Sequence, residues 1–345
     1  METLFGKTLN QLEVIVTSIG LKSFTARQIA GWLYEKHISS IDEMTNLSLG
    51  ARQKLNENYT LGLDPPQKAD VSEDGTKKYL YHVKGQQYIE AAYIPEEKRA
   101  TLCLSSQVGC KRGCQFCMTG KQGFQFNLTS GQILNQLHSL PEKKTITNLV
   151  YMGMGEPLDN PDSVLDSLEI LTAPWGYAMS PKRITLSTIG IIPSMKRFLD
   201  TTSVHLAISI HSPFHEERKN LMPVQQIYPI EDVIEVLKEY NWSGQRRLSF
   251  EYICFRGLND TDKHARALAR LLRGLYARIN LINFHPIPES DLEGSVRPQM
   301  ESFQSILKDK GFTTTIRKSR GEDIFAACGL LSTKEKLKND NTEVL

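Results

Sequence analysis

Long hydrophobic runs and an excess of one charge are missing from this sequence, and no secretory leader is expected. No apolar stretch approaches the ~20 residues that a membrane-spanning helix needs. Residues 1–6 contain no basic region leading into an apolar segment, so no signal peptide is predicted. The 41 lysines and arginines nearly balance 39 acidic residues, for a formal net charge of +2, which neither requires nor excludes a nucleic-acid partner. We therefore expect a cytoplasmic protein without a membrane association.

Composition also excludes disorder and the fibrous classes. Of 345 residues, 40% are hydrophobic and 23% charged, close to the average of folded globular proteins. The length predicts one large domain and one small one.

The first ~95 residues differ from the rest. Two helical runs are predicted at 24–34 and 41–58, followed by strands at 77–83 and 87–94 around Lys84-Gly85. We interpret residues 1–95 as a small helical accessory domain with a linking strand pair.

From residue 96 onward, strands alternate with helices. Start signals precede the helices, as at Asn160-Pro161-Asp162 and Asp260-Thr261. Alternating βα units predict an α/β fold with a mostly parallel sheet. Six or seven units are too few for an eight-stranded barrel, so residues 96–332 are predicted to form an open, partial barrel, with a flexible tail at 333–345. The predicted strands are 101–104, 146–152, 183–187, 204–210, 248–254, 279–284 and 312–316.

Cysteine is scarce, but four of the six residues fall within fifteen positions. Cys110, Cys114 and Cys117 have three and then two residues between them, and Cys103 lies just before. In a cytosolic chain such a group indicates metal or redox chemistry rather than disulfides. Three thiols without a nearby fourth ligand favour an iron–sulfur cube with one open iron. A structural zinc site and chance core thiols remain the alternatives.

Two further patterns are candidates for binding. The ends of three predicted strands carry Gly155-Glu156, Ser187 and Ser209-Ile210-His211. Ligands of parallel sheets bind at such ends; turns of small residues are the alternative.

Basic groups could contact phosphates, although most such runs are solvated surface. They lie at Lys182-Arg183, at Arg246-Arg247 and between residues 317 and 320.

The cysteine triplet, with an aromatic residue before its last member, resembles the signature of radical S-adenosylmethionine (SAM) enzymes, which have a partial (βα)6 barrel. Further motifs resemble the RlmN/Cfr family of RNA adenine methyltransferases, in order from about residue 20 to 330. These motifs are YIPE at 93–96, TLCLSSQVGC at 101–110, CMTG at 117–120, MGMGEPL at 152–158, LST at 186–188, IHSP at 210–213 and DIFAACG at 323–329.

The resemblance implies a 4Fe-4S cluster bound by Cys110, Cys114 and Cys117, whose open iron chelates SAM. Contacts to SAM are implied for Gly155, Glu156, Ser187, Ser209, Ile210, His211 and His285. At the last of these positions the family often has asparagine, and both side chains donate and accept hydrogen bonds.

The resemblance also implies two SAM molecules per turnover. The first methylates Cys328, and a 5′-deoxyadenosyl radical from the second abstracts hydrogen from that methyl group. Cys103 would then release the product by forming a transient disulfide, and Glu90 would accept the proton from the base. One-electron and thiol reductants are therefore expected partners. Cys254, without a matching motif, is predicted to be core.

Within the family, Pro157 and the segment 317–323 favour methylation of adenine at C2. The expected targets are an adenine of 23S rRNA at the peptidyl-transferase centre and the adenine beside the anticodon of tRNA. The electron-poor C2 carbon cannot attack a sulfonium methyl group, which explains the radical route. Cfr-like C8 methylation, which gives antibiotic resistance, is the alternative indicated by the segment 188–193 and Ser212-Pro213. A radical activase or mutase, and a non-enzymatic iron–sulfur RNA-binding protein, are the hypotheses from other classes.

Overall fold

The computed structural model describes residues 1–36, 38–288 and 290–333. The expected flexible tail at 333–345 lies outside the described residues from residue 334 onward. The strands are β1 (Glu2–Thr3), β2 (Tyr59–Thr60), β3 (Lys68–Val71), β4 (Lys77–Lys84), β5 (Gln87–Glu96), β6 (Arg99–Cys103), β7 (Gln107–Val108), β8 (Phe126–Asn127), β9 (Asn148–Tyr151), β10 (Ile184–Thr188), β11 (His205–Ser209), β12 (Leu248–Cys254), β13 (Ala277–Asn283) and β14 (Thr313–Ile316).

The helices lie between these strands and in the first sixty residues. They are α1 (Leu9–Ser18), α2 (Thr25–Ala30, continued by a π-helical turn Gly31–Glu35), α3 (Leu49–Asn58), α4 (Met118–Gln122), α5 (Ser130–His138), α6 (Pro161–Thr172), α7 (Ile192–Thr201), α8 (His215–Leu221), α9 (Ile230–Lys238), α10 (Asp262–Leu271) and α11 (Arg297–Asp309). Short 3-10 turns occur at Ile41–Glu43, Lys143–Thr145, Pro157–Asp159, Pro181–Arg183 and Pro223–Gln226.

One ten-stranded sheet organises the molecule, in the order β14-β13-β12-β11-β10-β9-β6-β5-β4-β3. The seven strands from β6 to β14 in this order are parallel, whereas β5, β4 and β3 continue the sheet antiparallel. The predicted α/β class with a mostly parallel sheet is confirmed. The parallel part contains seven strands, one more than the (βα)6 pattern.

The sequence pattern explains these layers. All seven residues of β12 are buried, as expected for a central strand covered on both faces. Helix α9 buries Ile230, Val233, Ile234 and Leu237, the spacing of one helical stripe. Helices therefore cover the outer face of the parallel strands.

The predicted helix over 41–58 is divided in the structure, and that prediction was wrong in its extent. Ser40 and Ser48 both act as N-caps: the Ser40 side chain accepts from Asp42 and that of Ser48 from Ala51. Because each cap begins a new helix, a 3-10 turn over Ile41–Glu43 and helix α3 replace one continuous helix.

The predicted hairpin is present as β4 and β5, and β5 pairs with β6 of the parallel sheet. The division of the chain at residue 95 stays a prediction. Asn160 was expected to cap α6, but its side chain makes no cap hydrogen bond. Its amide instead donates to the carbonyls of Ser106 and Leu128.

Among the described residues, no helix is both long enough and apolar enough to cross a membrane.

Candidate active site

A cavity of about 590 Å³ lies inside the curved parallel sheet. Alternating side chains of the strands face it, for example Cys103, Val150 and Asn280. Cys117 and Cys328 also line this cavity. Residues far apart in sequence therefore share one cavity, which runs along the inner face of the sheet and reaches the carboxyl ends of the strands, where parallel sheets bind ligands.

The cysteine loop is held by main-chain hydrogen bonds. The amide of Cys110 donates to the carbonyl of Gly123 at 3.2 Å, and that of Cys117 to the carbonyl of Cys114 at 3.2 Å. Gly109 has φ +71°, and a Cβ there would lie 1.7 Å from the Gly123 oxygen. Only glycine fits where the two segments approach so closely.

The three thiols of the triplet interact electrostatically with one another. Burial raises the pKa of each of them, that of Cys110 to about 12. They are therefore neutral unless a metal supplies positive charge, and metal binding would release their protons. Among the described residues no three His, Cys, Asp or Glu side chains surround a point suited to a single metal ion. A cubane differs in that each thiolate binds its own iron.

The loop that carries Cys328 is attached directly to the cysteine loop. The amide of Met118 donates to the carbonyl of Gly329 at 2.8 Å, and the Thr119 hydroxyl donates to the carbonyl of Leu331 at 2.6 Å. Cys328 also interacts electrostatically with Cys117. Positions 117 and 328 are thereby fixed relative to each other.

Cys103 and Cys328 are brought together across 224 intervening positions. Cys103, in β6, is buried against Ala92 and Ala326, whereas Cys328 is exposed to the cavity. The two thiols interact electrostatically. Desolvation raises the pKa of both thiols, that of Cys328 because it lies inside the cavity, and the positive charge of Arg317 lowers the pKa of both in part. The arrangement suits a pair of thiols that react with each other.

Glu90 is fully buried within β5 and does not line the cavity. Its carboxylate accepts a hydrogen bond from the amide of Ser332 at 3.2 Å, and Lys78 Nζ lies 3.4 Å from its other oxygen. The side chain is thus connected to the Cys328 loop through Ser332.

Glu156 follows β9, and its buried carboxylate accepts three hydrogen bonds. The donors are the hydroxyl of Thr188 at 2.6 Å and the amides of Leu158 and Ile189, both at 3.0 Å. Burial raises the pKa of Glu156 to about 7. The carboxylate connects the ends of β9 and β10, so a bound amine would meet the main chain of this segment.

Gly155 supports that geometry, because it has φ +98° and a Cβ there would lie 2.5 Å from the Gln107 side chain. The Gln107 side chain in turn accepts from the amide of Glu156 at 2.8 Å.

His211 is buried and has φ +56°. Its Nδ1 accepts from the amide of Ile253 at 3.0 Å, and its ring packs edge-on against Phe116. Burial lowers the pKa of His211 to about 3, so the ring is neutral. Its side chain shapes the turn after β11, leaving the main chain of Ser209 and Ile210 beside it.

A model of the "Radical SAM superfamily" matches residues 104–269, and one of the "Ribosomal RNA large subunit methyltransferase N-terminal domain" matches residues 3–61. A probable dual-specificity RNA methyltransferase RlmN of Bacteroides fragilis (strain ATCC 25285) is 55% identical over 98% of both chains. The dual-specificity RNA methyltransferase RlmN of Halorhodospira halophila is 41% identical over 95% of this chain and 92% of its own. The chain belongs to the RlmN family.

A solved structure has the same fold. The radical SAM methyltransferase from Sphaerobacter thermophilus has a TM-score of 0.89 and 36% identity, covering 96% of this chain and 99% of that one. Fold and family thus agree.

RlmN-family members use a 4Fe-4S cluster and SAM. The donor set here fits the cluster, since Cys110, Cys114 and Cys117 are three mutually interacting thiols, of which Cys117 lines the cavity. The ends of β9, β10 and β11 fit a SAM molecule beside it, because they present main-chain groups and the partly exposed Ser187 and Ser209. His285 lines the cavity, whereas Ser187 and Ser209 do not, and it is hydrogen bonded to the Ser319 hydroxyl at 2.6 Å.

Sequence reasoning missed Arg218. Its fully buried guanidinium donates to the carbonyls of Ile189, Ser209 and Ile210, and to the side chain of Gln225. It thereby joins the ends of β10 and β11. No sequence signal identifies it, because the surrounding HEERKN segment has the composition of a solvent-exposed helix.

Proposed function

We propose that this protein methylates C2 of a specific adenine in 23S rRNA and of the adenine beside the anticodon in tRNA. The observation that carries the proposal is the convergence of Cys103, Cys117 and Cys328 on one cavity, in a chain of the RlmN family. A radical activase or mutase would not require the two distant thiols.

When bound, the cluster and SAM supply methyl groups and a carbon radical at the carboxyl ends of the strands. The chain's own residues would carry and release the methyl group. Cys328, exposed to the cavity, is the methyl carrier, and a thioether there keeps the one-carbon unit beside the base.

Cys103 completes the cycle. Its thiolate attacks the sulfur of Cys328, an S–S bond forms, and the Cys328 sulfur–carbon bond breaks with its electron pair moving to the carbon attached to the base. That carbon takes up a proton and becomes the methyl group. A thiol reductant then restores both cysteines. Because burial raises the pKa of the Cys103 thiol, the positive charge of Arg317 assists formation of the attacking thiolate.

Glu90 is proposed as the acceptor of the C2 proton. Its link to Ser332 places it behind the Cys328 loop, so a shift of that loop would accompany proton transfer. Gly155, Glu156, Ser187, Ser209, Ile210, His211 and His285 are proposed to contact SAM. The cytoplasm, with rRNA, tRNA and a one-electron reductant, is the proposed location.

Single cysteine variants test this function. With tRNA, SAM and reductant, Cys328→Ala accepts no methyl group and forms no protein–RNA adduct. Cys103→Ala still adds to the base and then stalls, because a thioether does not break unaided. The expected product is a covalent complex that runs slowly on a denaturing gel and collapses with ribonuclease.

Cys254→Ala is the matched control, since Cys254 is buried in the core and does not line the cavity. It should turn over normally. Normal methylation by Cys103→Ala and Cys328→Ala would exclude the tethered mechanism.

The identity of the base position is tested by mass spectrometry of nucleosides from treated RNA. The expected product of the wild-type protein is 2-methyladenosine. A main product of 8-methyladenosine would exclude C2 specificity.

A further inference from the structure

A second cavity, of about 780 Å³, opens at the opposite end of the parallel sheet. It lies at the amino ends of β12, β13 and β14 and beside the last turn of α10. At ~3.3 Å per residue, the length of β12 separates it from the Cys328 end by roughly 20 Å. Arg247 and Arg278 line both cavities, so this one adjoins the amino end of the active-site cavity and lies away from the carboxyl ends of the strands, where Cys328 is located.

Seven cations line this cavity, and within the described part of the chain no acidic residue does. We call them the amino-end basic surface: Arg246, Arg247, Arg266, Arg270, Arg273, Arg278 and Lys310.

Most of this charge is not neutralised. Arg266 lies 3.7 Å from Asp262, and Arg246 donates to the carbonyl of Leu199. The side chains of the other five have neither an ion pair nor a hydrogen bond to any described residue. Because exposed cations are usually balanced by neighbouring acids, five unpaired ones around a single cavity indicate a polyanionic ligand.

The positive charges of this surface also act on the neighbouring His205. Burial and the charges of Arg247, Arg278, Lys182 and Arg246 together lower the pKa of His205 to about 4. The imidazole, whose Nδ1 accepts from the amide of Arg247 at 2.9 Å, therefore stays neutral. It adds no charge of its own.

An aromatic side chain lies among the cations. Tyr276 lines the cavity with 77% of its surface exposed. A large exposed ring costs solvation free energy unless a ligand covers it, and unpaired bases stack on such rings. Cations alternating with an exposed aromatic ring favour a single-stranded nucleic acid over a simple anion.

We propose that the amino-end basic surface binds an unpaired segment of the RNA substrate, away from the base that is methylated. Arg270, Arg273, Arg278 and Lys310 contact its phosphates, and Tyr276 stacks on one base. The surface contributes affinity and not chemistry. The inference rests on the proposed function, since RNA is the substrate there.

RNA binding by the full chain, measured by fluorescence anisotropy over a range of salt concentrations, tests the surface. In Arg270→Gln/Arg273→Gln, we expect affinity to fall 5- to 20-fold near 0.15 M salt. The slope of log K against log salt should decrease by about 1.4, at ~0.7 per single-stranded phosphate contact. Tyr276→Ala should weaken binding about tenfold, whereas Tyr276→Phe retains the ring and the affinity.

The matched control is Lys196→Gln/Lys238→Gln, which removes the same charge from two exposed lysines paired with Glu239 and Glu235. Its affinity and salt slope should equal those of the wild type. If the arginine variant binds as this control does, or if Tyr276→Ala binds as Tyr276→Phe does, the inference is overturned. Failure of the proposed function would appear separately, as absence of 2-methyladenosine with the wild-type protein.

Discussion

Replacement of Arg218 by methionine tests how the predicted SAM-binding strand ends are held. The guanidinium donates to three main-chain carbonyls at 3.1–3.2 Å and to Gln225, and no part of the residue is exposed. Burial lowers the pKa of Arg218 to about 10, so the side chain is charged at neutral pH.

Two opposing contributions determine how much the free energy of unfolding changes. Four acceptors lose their donor, at about 1–3 kcal/mol each when buried. Removal of a buried charge returns several kcal/mol of desolvation free energy. We expect the free energy of unfolding to fall by about 2–4 kcal/mol in Arg218→Met. The free energy of unfolding of Arg218→Lys should lie between those of the wild type and Arg218→Met. One ammonium group cannot reach the carbonyls of Ile189 and Ser209 as the planar guanidinium does.

The assay is urea denaturation, together with SAM affinity of the cluster-reconstituted protein. Because Ser209 and Ile210 lose their anchor, SAM should bind about tenfold more weakly to Arg218→Met. Lys219→Met, at the neighbouring cation on α8, is the control and should change neither quantity. A wild-type denaturation midpoint together with wild-type SAM affinity in Arg218→Met would refute the reasoning.

Three other outcomes are expected. Cys114→Ala should abolish iron binding and visible absorption after anaerobic preparation, and full iron content in this variant would contradict the ligand assignment. In the apoprotein, iodoacetamide should modify the cavity-exposed Cys328 before the buried Cys254. The rate at Cys328 should rise with pH, because desolvation inside the cavity raises the pKa of this thiol. Peptide mass spectrometry showing the reverse order would contradict the difference in exposure. Since the pKa of Glu156 is raised from 4.5 to about 7, the folded apoprotein binds more protons than the unfolded chain in that window, so stability should fall as pH rises through it. Glu156→Gln should flatten this dependence in urea midpoints at pH 5 and 7.5, and an unchanged slope would show that Glu156 does not cause it.

The pattern of strands was predictable, because buried parallel strands appear as short β-branched runs between helical segments. The strand predicted at 248–254 coincides with β12, and the one at 312–316 differs from β14 by one residue. The helix at 41–58 was predicted too long, since caps at Ser40 and Ser48 decide its division and apolar periodicity does not show them.

The proposed cluster ligands are local in sequence, so they could be proposed without the fold. The spacing of Cys110, Cys114 and Cys117 favours a cube with an open iron over a structural zinc site. The hydrogen bonds that the Glu156 carboxylate accepts were not predictable, since their donors Thr188 and Ile189 come from another strand end.

The sequence by itself determined the α/β class, the cysteine triplet and, through ordered motifs, the resemblance to the family. Only the tertiary structure decided that Cys103 and Cys328 share one cavity, that Arg218 joins two strand ends, and that cations from three chain segments surround Tyr276. The physical reason is that a motif consists of residues that are neighbours in sequence. Proximity across a parallel sheet depends instead on strand order and on which of the alternating side chains face inward.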